Sequence, residues 1–235
     1  MGAVEVVLVG LGMFAGGVAA GAVGFGAVMV PAPLLAIVTP TLLPFVFTAP
    51  VLAVNSFVAC RERAGLDRRL LARLTVWQIP GALIGAWIIA QLDPDGVGLS
   101  VGVLVLVLVG IRFLLWRPPR TRGWEVGSAV TAGMSGAVAG MNGPPIAALL
   151  ADESPSLLRA TLPAFFFISQ VVLVGTWAAT GTLDLHAVWI GLAFTPVMLL
   201  GGRVGQFLAG RLTPTAVRLT VLVLATIAVA RALPM

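Results

Sequence analysis

Gly140-Met141-Asn142-Gly143-Pro144-Pro145-Ile146 interrupts one apolar stretch of this chain, and Gly24-Phe25-Gly26-Ala27-Val28-Met29-Val30-Pro31 interrupts another. Gly and Pro break helices, and lipid cannot hydrogen-bond the N–H and C=O groups that a break releases. Such a break survives only where protein or a polar cavity surrounds it. Two interrupted segments at matching places in two halves are the strongest sequence pointer to a transporter's binding site.

The surrounding composition fits a membrane setting. Hydrophobic residues make up 59% of the 235 and charged residues 10%, and mean hydropathy is +1.08. A soluble domain carries about 25% charge. The length allows roughly eight to ten spanning or half-spanning segments of ~20 residues. The expected segments are approximately 3–23, 27–38, 42–60, 73–92 and 97–116, then 126–140, 143–151, 157–180, 186–210 and 214–233. Segments 27–38 and 143–151 are too short to cross a ~30 Å core, so they read as re-entrant half-helices. The first apolar run has no Lys or Arg before it, and reads as a retained helix rather than a leader.

The two halves match beyond the break. Pro50 pairs with Pro163, Ser56 with Ser169, Asp67 with Asp184, and Pro80 through Gly85 with Pro196 through Gly201. This reads as an internal duplication: repeat one 1–116, a linker 117–123, and repeat two 124–235, forming one membrane domain. The net charge of +5 comes from Arg alone. In a soluble protein it would suggest nucleic acid; here the arginines cluster in short loops and set orientation, so no nucleic-acid partner is expected. The loop with Arg61, Arg63, Arg68, Arg69 and Arg73 and the linker with Arg117, Arg120 and Arg122 should be cytoplasmic. Five segments before the linker turn the second repeat upside down, which puts Arg159 and Arg211 inside as well. Both termini then face outward. The expected fold is all-α and integral to the membrane, with two inverted repeats of about five segments whose half-helices meet near the midplane.

The order of these motifs resembles the sulfite exporter TauE/SafE family. Gly24-Phe25-Gly26 ending in Pro31, and Ser135 through Pro145, are similar to its two signature segments. Arg61 through Asp67 and the Pro-Gly-x-x-x-Gly opening at Pro80 are similar too. Ala27 stands where a third Gly is common, and Asn142 replaces another. The resemblance implies export of sulfite, sulfoacetate or related organosulfonates across the bacterial inner membrane. Uptake of sulfate, thiosulfate or another small oxyanion is the alternative. The implied partners are a small anion and the lipid bilayer, with a homodimer allowed.

Residue chemistry gives a site of the same kind. A broken helix aims free N–H groups and partial positive charge at the break, and Gly lets an anion approach the backbone closely. The expected contact residues are Gly24, Phe25, Gly26, Ala27 and Pro31 at one break. At the other they are Gly140, Met141, Asn142, Gly143, Pro144 and Pro145. Asn55, Ser56, Ser169 and Gln170 add polar side chains within apolar stretches; interhelical hydrogen bonding is their plain structural reading. Gln78 is a further polar residue of this type. Arg203, after Gly201-Gly202, could attract anions or simply snorkel. Gly12/Gly16, Gly17/Gly21, Gly81/Gly85, Gly136/Gly140 and Gly201/Gly205 read as helix-packing pairs. The six Trp read as an interfacial belt.

Catalysis at this depth would need converging acids, bases or a metal cluster. One His, one Cys and loop-bound carboxylates supply none. No catalytic residue, metal or cofactor is expected. With no carboxylate at the midplane, a built-in proton relay is not expected either. A purely structural subunit is the remaining alternative, and it predicts breaks packed shut.

Overall fold

The computed structural model describes residues 2–23, 27–28, 30–38, 42–61, 65–92, 96, 100, 103–104, 107 and 118–208. The expected segment 214–233 lies outside the described residues, as do Gly24, Phe25, Gly26 and most of 97–116. The helices are α1 (Ala3–Val23), α2 (Pro31–Val38), α3 (Leu43–Val46), α4 (Thr48–Arg61) and α5 (Arg68–Gln91). They continue with α6 (Arg122–Ala139), α7 (Gly143–Leu149), α8 (Pro155–Ala179) and α9 (Leu185–Phe207). α2 and α7 are the short arms that the interrupted segments predict.

Local chemistry sets several helix ends. Asp67 accepts from the N–H groups of Arg69 at 3.0 Å and Leu70 at 2.9 Å, and so starts α5. Asp184 accepts from Ala187 N–H at 3.1 Å and starts α9. The sequence match of Asp67 with Asp184 is thus a match of helix N-caps, which satisfy orphan backbone donors. Ser154 caps α8 through Leu157 N–H, with Pro155 at the first helical position. The match of Pro50 with Pro163 hides a difference. α8 runs unbroken from Pro155 through Pro163, whereas the corresponding stretch is divided at Phe47 into α3 and α4. Phe47 has its N–H turned back onto the Phe45 carbonyl, two residues away, so the helical ladder stops there.

The chain divides into two compact units, and each draws on both sequence halves. Unit 1 is Met1–Pro50, Leu92–Val109 and Asp184–Met235; unit 2 is Val51–Gln91 and Gly110–Leu183. In unit 1, α1 lies along α9 with backbone touching backbone. A Cβ on Gly17 would strike the Met198 carbonyl, and one on Gly21 the Gly202 carbonyl. From the other side, Gly201 seats the Phe14 carbonyl and Gly205 that of Val18. The residue numbers rise together along both helices, so the pair is parallel.

Unit 2 repeats this seam with α6 and α5. Gly133 seats the Gln78 carbonyl, Gly81 that of Val130, and Gly85 that of Met134. Gly133 occupies the place of Gly17, and Gly81 and Gly85 the places of Gly201 and Gly205. This packing register is one helical turn away from the sequence match of Pro80 with Pro196. Small residues decide the register because they alone permit helix backbones to approach closely without a hydrophobic drive.

A second glycine face of α1 carries the arm. Gly12 lies against Leu34 and Pro31, and Gly16 against the Ala27 carbonyl and Pro31. Gly191 of α9 seats the Val46 carbonyl of α3. In unit 2 the core gathers Leu70, Leu71 and Leu74 of α5 with Ala129 and Ala132 of α6, Ile146 and Leu149 of α7, and Phe165 of α8.

The outward faces are apolar. Val4, Leu11, Val76, Trp87, Trp189, Leu200 and Phe207 are all exposed. Among the described residues, four helices are long and apolar enough to cross a bilayer, at Ala3–Ala22, Arg68–Gln91, Ser156–Ala179 and Leu185–Phe207. Exposed apolar side chains on spanning-length helices are what a hydrocarbon solvent requires. Trp77, Trp87, Trp124 and Trp189 are exposed, but Trp177 is fully buried and belongs to the packed interior rather than to an interfacial belt.

Candidate substrate site

The break in unit 2 is built by α6, α7 and α8. α6 ends because Gly140 adopts φ 67°, a left-handed conformation that other residues take at a cost. Its N–H returns to the Gly136 carbonyl at 2.8 Å, and Met141 N–H to the Ser135 carbonyl at 3.3 Å. Gly140 is therefore a helix terminator; the reading of Gly136/Gly140 as a packing pair holds only for Gly136, which lies against Leu173 and Asn142. The buried Ser135 hydroxyl donates to the Met141 carbonyl at 2.7 Å, so one backbone acceptor freed by the break is satisfied internally.

Asn142 follows, 7% exposed. Its amide Nδ2 donates to the Ser169 hydroxyl of α8 at 2.7 Å. The Ser169 proton is left to donate elsewhere. Gln170, next to Ser169, is buried as well. Gly143 is open towards Phe166, with an added Cβ meeting the ring at 3.5 Å. Met141, Asn142 and Pro145 are buried, and Pro144 is half-buried.

The tip of α7 is poorer in donors than an ordinary helix start. Pro144 and Pro145 have no N–H, so of the first three helical residues only Gly143 carries one. The tip of α2 is similar: Pro31 and Pro33 have none, and the Ala32 N–H is already bonded to the Val28 carbonyl at 2.9 Å. Side-chain amides must then supply donors that the backbone lacks.

The other expected residues fall into separate places. Ala27 is half-buried and Pro31 is buried in unit 1, both against α1. Asn55 donates to the Val51 carbonyl at 2.8 Å and Ser56 to that of Ala53 at 3.0 Å, within their own helix. Of the matched pair Ser56 and Ser169, only Ser169 reaches another element through a described hydrogen bond. Arg203 is on the exposed face of α9. Among the described residues, no group of three or more His, Cys, Asp or Glu could hold a metal ion.

One feature of unit 2 is absent from the sequence reading, an ion network at the end where α5 and α6 begin. Arg73 grips Glu125 with both arms, Nε to Oε2 at 2.8 Å and Nη2 to Oε1 at 3.0 Å. Arg120 reaches Glu153 at 2.6 Å, Asp67 at 3.2 Å and Glu125 at 3.6 Å. The Leu70 N–H, with those of Arg69 and the Arg120 guanidinium, holds the Asp67 carboxyl below its ordinary 3.8. The Glu153 carboxylate, with its neighbours, raises Arg120. A hollow of about 430 Å³ beside it is lined by Arg73, Arg122 and Glu125. Glu153 follows the arm α7, so the network ties the far end of the arm to both long helices. The signal lies in the sequence: Asp67 and Glu153 fall in loops and Glu125 in the first turn of α6, each close to arginines of the same loops.

Helices of spanning length, two short apolar arms and a buried polar pair at a glycine break describe an all-helical membrane protein. The chain belongs to the sulfite exporter TauE/SafE family, which it matches over residues 8–232. The family is one of membrane transporters for sulfur-containing anions. Comparison with curated proteins and with solved structures gives no match.

Proposed function

We propose that this protein exports small sulfur-containing anions, of the sulfite, sulfoacetate and organosulfonate class, across the bacterial inner membrane. The observation that carries this reading is the buried Asn142–Ser169 pair at a helix break inside apolar packing. Polar groups at such depth are expensive and mark pathways. The anion binds at the break before α7, with Asn142 and Ser169 as side-chain donors and Gly143 giving access to the backbone. By the same chemistry, Gly24, Phe25, Gly26, Ala27 and Pro31 are proposed as anion contacts at the other break.

The two repeats run inverted, with the linker cytoplasmic and both termini outside. The loop arginines support the inversion, and the recurrence of one parallel glycine seam in both units supports the duplication. The Arg73–Glu125–Arg120 network then lies on the cytoplasmic face. On this layout we assign Arg203 the role of drawing anions to the cytoplasmic side.

Export needs no coupling ion. The potential, negative inside, favours exit of an anion by ~2.3 kcal/mol per charge per 100 mV. Sulfite flux in proteoliposomes clamped at set potentials tests this. Flux that follows voltage without a proton gradient is the expected result. Flux that ignores voltage and follows only a proton gradient overturns uniport, and no flux of any sulfur anion overturns the transport reading.

A further inference from the structure

Gln78 of α5 is fully buried, and neither its Nε2 nor its Oε1 has a hydrogen-bond partner among the described residues. A buried amide left without partners is strongly unfavourable, so a primary amide kept in this condition needs a partner in another state. Its position says which partner. Leu74, Ile146 and Phe165 belong to one apolar cluster. One helical turn from Leu74 and Phe165, on the same faces of α5 and α8, stand Gln78 and Ser169, and Asn142, the residue before α7, stands four residues before Ile146. α7 runs back from the break, so stepping from Ile146 to Asn142 leads toward it. α5 runs parallel to α6, so stepping from Leu74 to Gln78 leads the same way. The Gln78 carbonyl lies on Gly133, and Asn142 lies on Gly136, one turn further along α6.

We propose that Gln78 is a third side-chain ligand of the anion site and selects the protonation state of the substrate. This rests on the reading of Asn142 and Ser169 as substrate contacts. A primary amide offers a donor and an acceptor side by side. An oxyanion that carries its own O–H, such as hydrogen sulfite, satisfies both in one cyclic pair. An anion with acceptor oxygens only, such as methanesulfonate, satisfies Nε2 and meets the Oε1 lone pairs with like charge. Both probes carry a single negative charge, so net charge does not distinguish them, and loss of the preference in a Gln78 variant ties it to the amide.

The test is thermal stabilisation of the purified protein by hydrogen sulfite, held at a pH where it is singly protonated, and by methanesulfonate. Wild type, Gln78→Leu and Asn142→Leu are compared. Wild type is expected to bind hydrogen sulfite more tightly. Gln78→Leu is expected to weaken hydrogen sulfite by about tenfold or more, to lose the preference, and to keep an unliganded Tm at or above that of wild type. Unchanged affinity and preference in Gln78→Leu, with Asn142→Leu abolishing stabilisation, overturn the role of Gln78 alone. A lowered unliganded Tm in Gln78→Leu also overturns it, because the amide then has a structural partner. A wild type that gains nothing from either anion overturns the site itself.

Discussion

Asn142, at the break between α6 and α7, is joined to Ser169 in the body of α8 by a 2.7 Å hydrogen bond. The bond crosses from irregular backbone to a regular helix inside buried packing. Interhelical bonds of this type contribute roughly 0.6–2 kcal/mol in membranes. Ser169→Ala is expected to lower stability within that range and to weaken anion binding. Asn142→Leu is expected to abolish anion-induced thermal stabilisation. An unchanged anion response in Asn142→Leu removes that residue from the site.

Gly17, Gly133 and Gly81 each face a carbonyl of the neighbouring helix with no room for a methyl group. Substitution to Ala at any of these is expected to destabilise by about 1–3 kcal/mol through overpacking. Gly175→Ala and Gly127→Ala are the matched controls. Nothing lies within 4 Å of a Cβ at either position, so helix propensity alone predicts a gain of up to ~1 kcal/mol. Urea or thermal unfolding in detergent reads both sets. Equal effects in the two sets would show that the seams are not packed as described.

The Arg73–Glu125 pair is asymmetric: the Glu125 side chain is 9% exposed and that of Arg73 is 40% exposed. Removing the arginine strands a largely buried carboxylate whose remaining cation, Arg120, is 3.6 Å away. Arg73→Gln is expected to cost about 1–3 kcal/mol, between the ~0–1 of exposed pairs and the ~3–5 of breaking a fully buried one. The double variant Arg73→Leu with Glu125→Leu should recover most of that. A single variant as stable as wild type would place the pair in solvent.

Asp67 gives the network a pH dependence of known sign. Its carboxyl is held below 3.8 in the folded protein, first by the Leu70 N–H. The charged form therefore adds stability that is complete above pH 3.8 and disappears as pH falls through the lower folded value. Asp67→Ala should lose ~1 kcal/mol near neutral pH as a missing helix cap, and should flatten the acid limb of the stability profile. Asp67→Asn should keep the cap and lose the acid limb. A steep acid limb in both variants would assign it to other carboxylates.

Gly140 is the one non-exchangeable residue of the break on conformational grounds. At φ 67° any side chain is strained, by about 1–2 kcal/mol. Gly140→Ala is expected to lose that much stability and to disturb Asn142, measurable as weaker anion binding. Gly181, with φ 70° and open space around it, should show the stability loss without the binding loss.

Much of this arrangement was readable because lipid leaves few options. The interrupted motifs marked both arms, and α1 began and ended where the apolar run did. Asn142 and Ser169 each stand out in the sequence as polar residues in apolar segments, but their direct bond depends on how α8 packs against the break. Sequence matching aligned Pro80 with Pro196, yet packing follows Gly81 with Gly201, because contact geometry depends on where a side chain is missing rather than on where a helix bends. The place of Trp177 near a helix end suggests an interfacial residue, but which face of α8 it occupies is decided by tertiary packing. The ion network escaped because its partners are distant in sequence and each charge alone looked like a loop residue.

The seam of unit 1 joins the beginning of the chain to a helix that starts at Leu185. During synthesis at about 5–20 residues per second, the first helix waits on the order of ten to thirty seconds before its mate leaves the ribosome. For that interval Gly17 and Gly21 present bare backbone to whatever surrounds the growing chain. The protein thus depends on an insertion environment that keeps an early helix unpaired until a late one arrives.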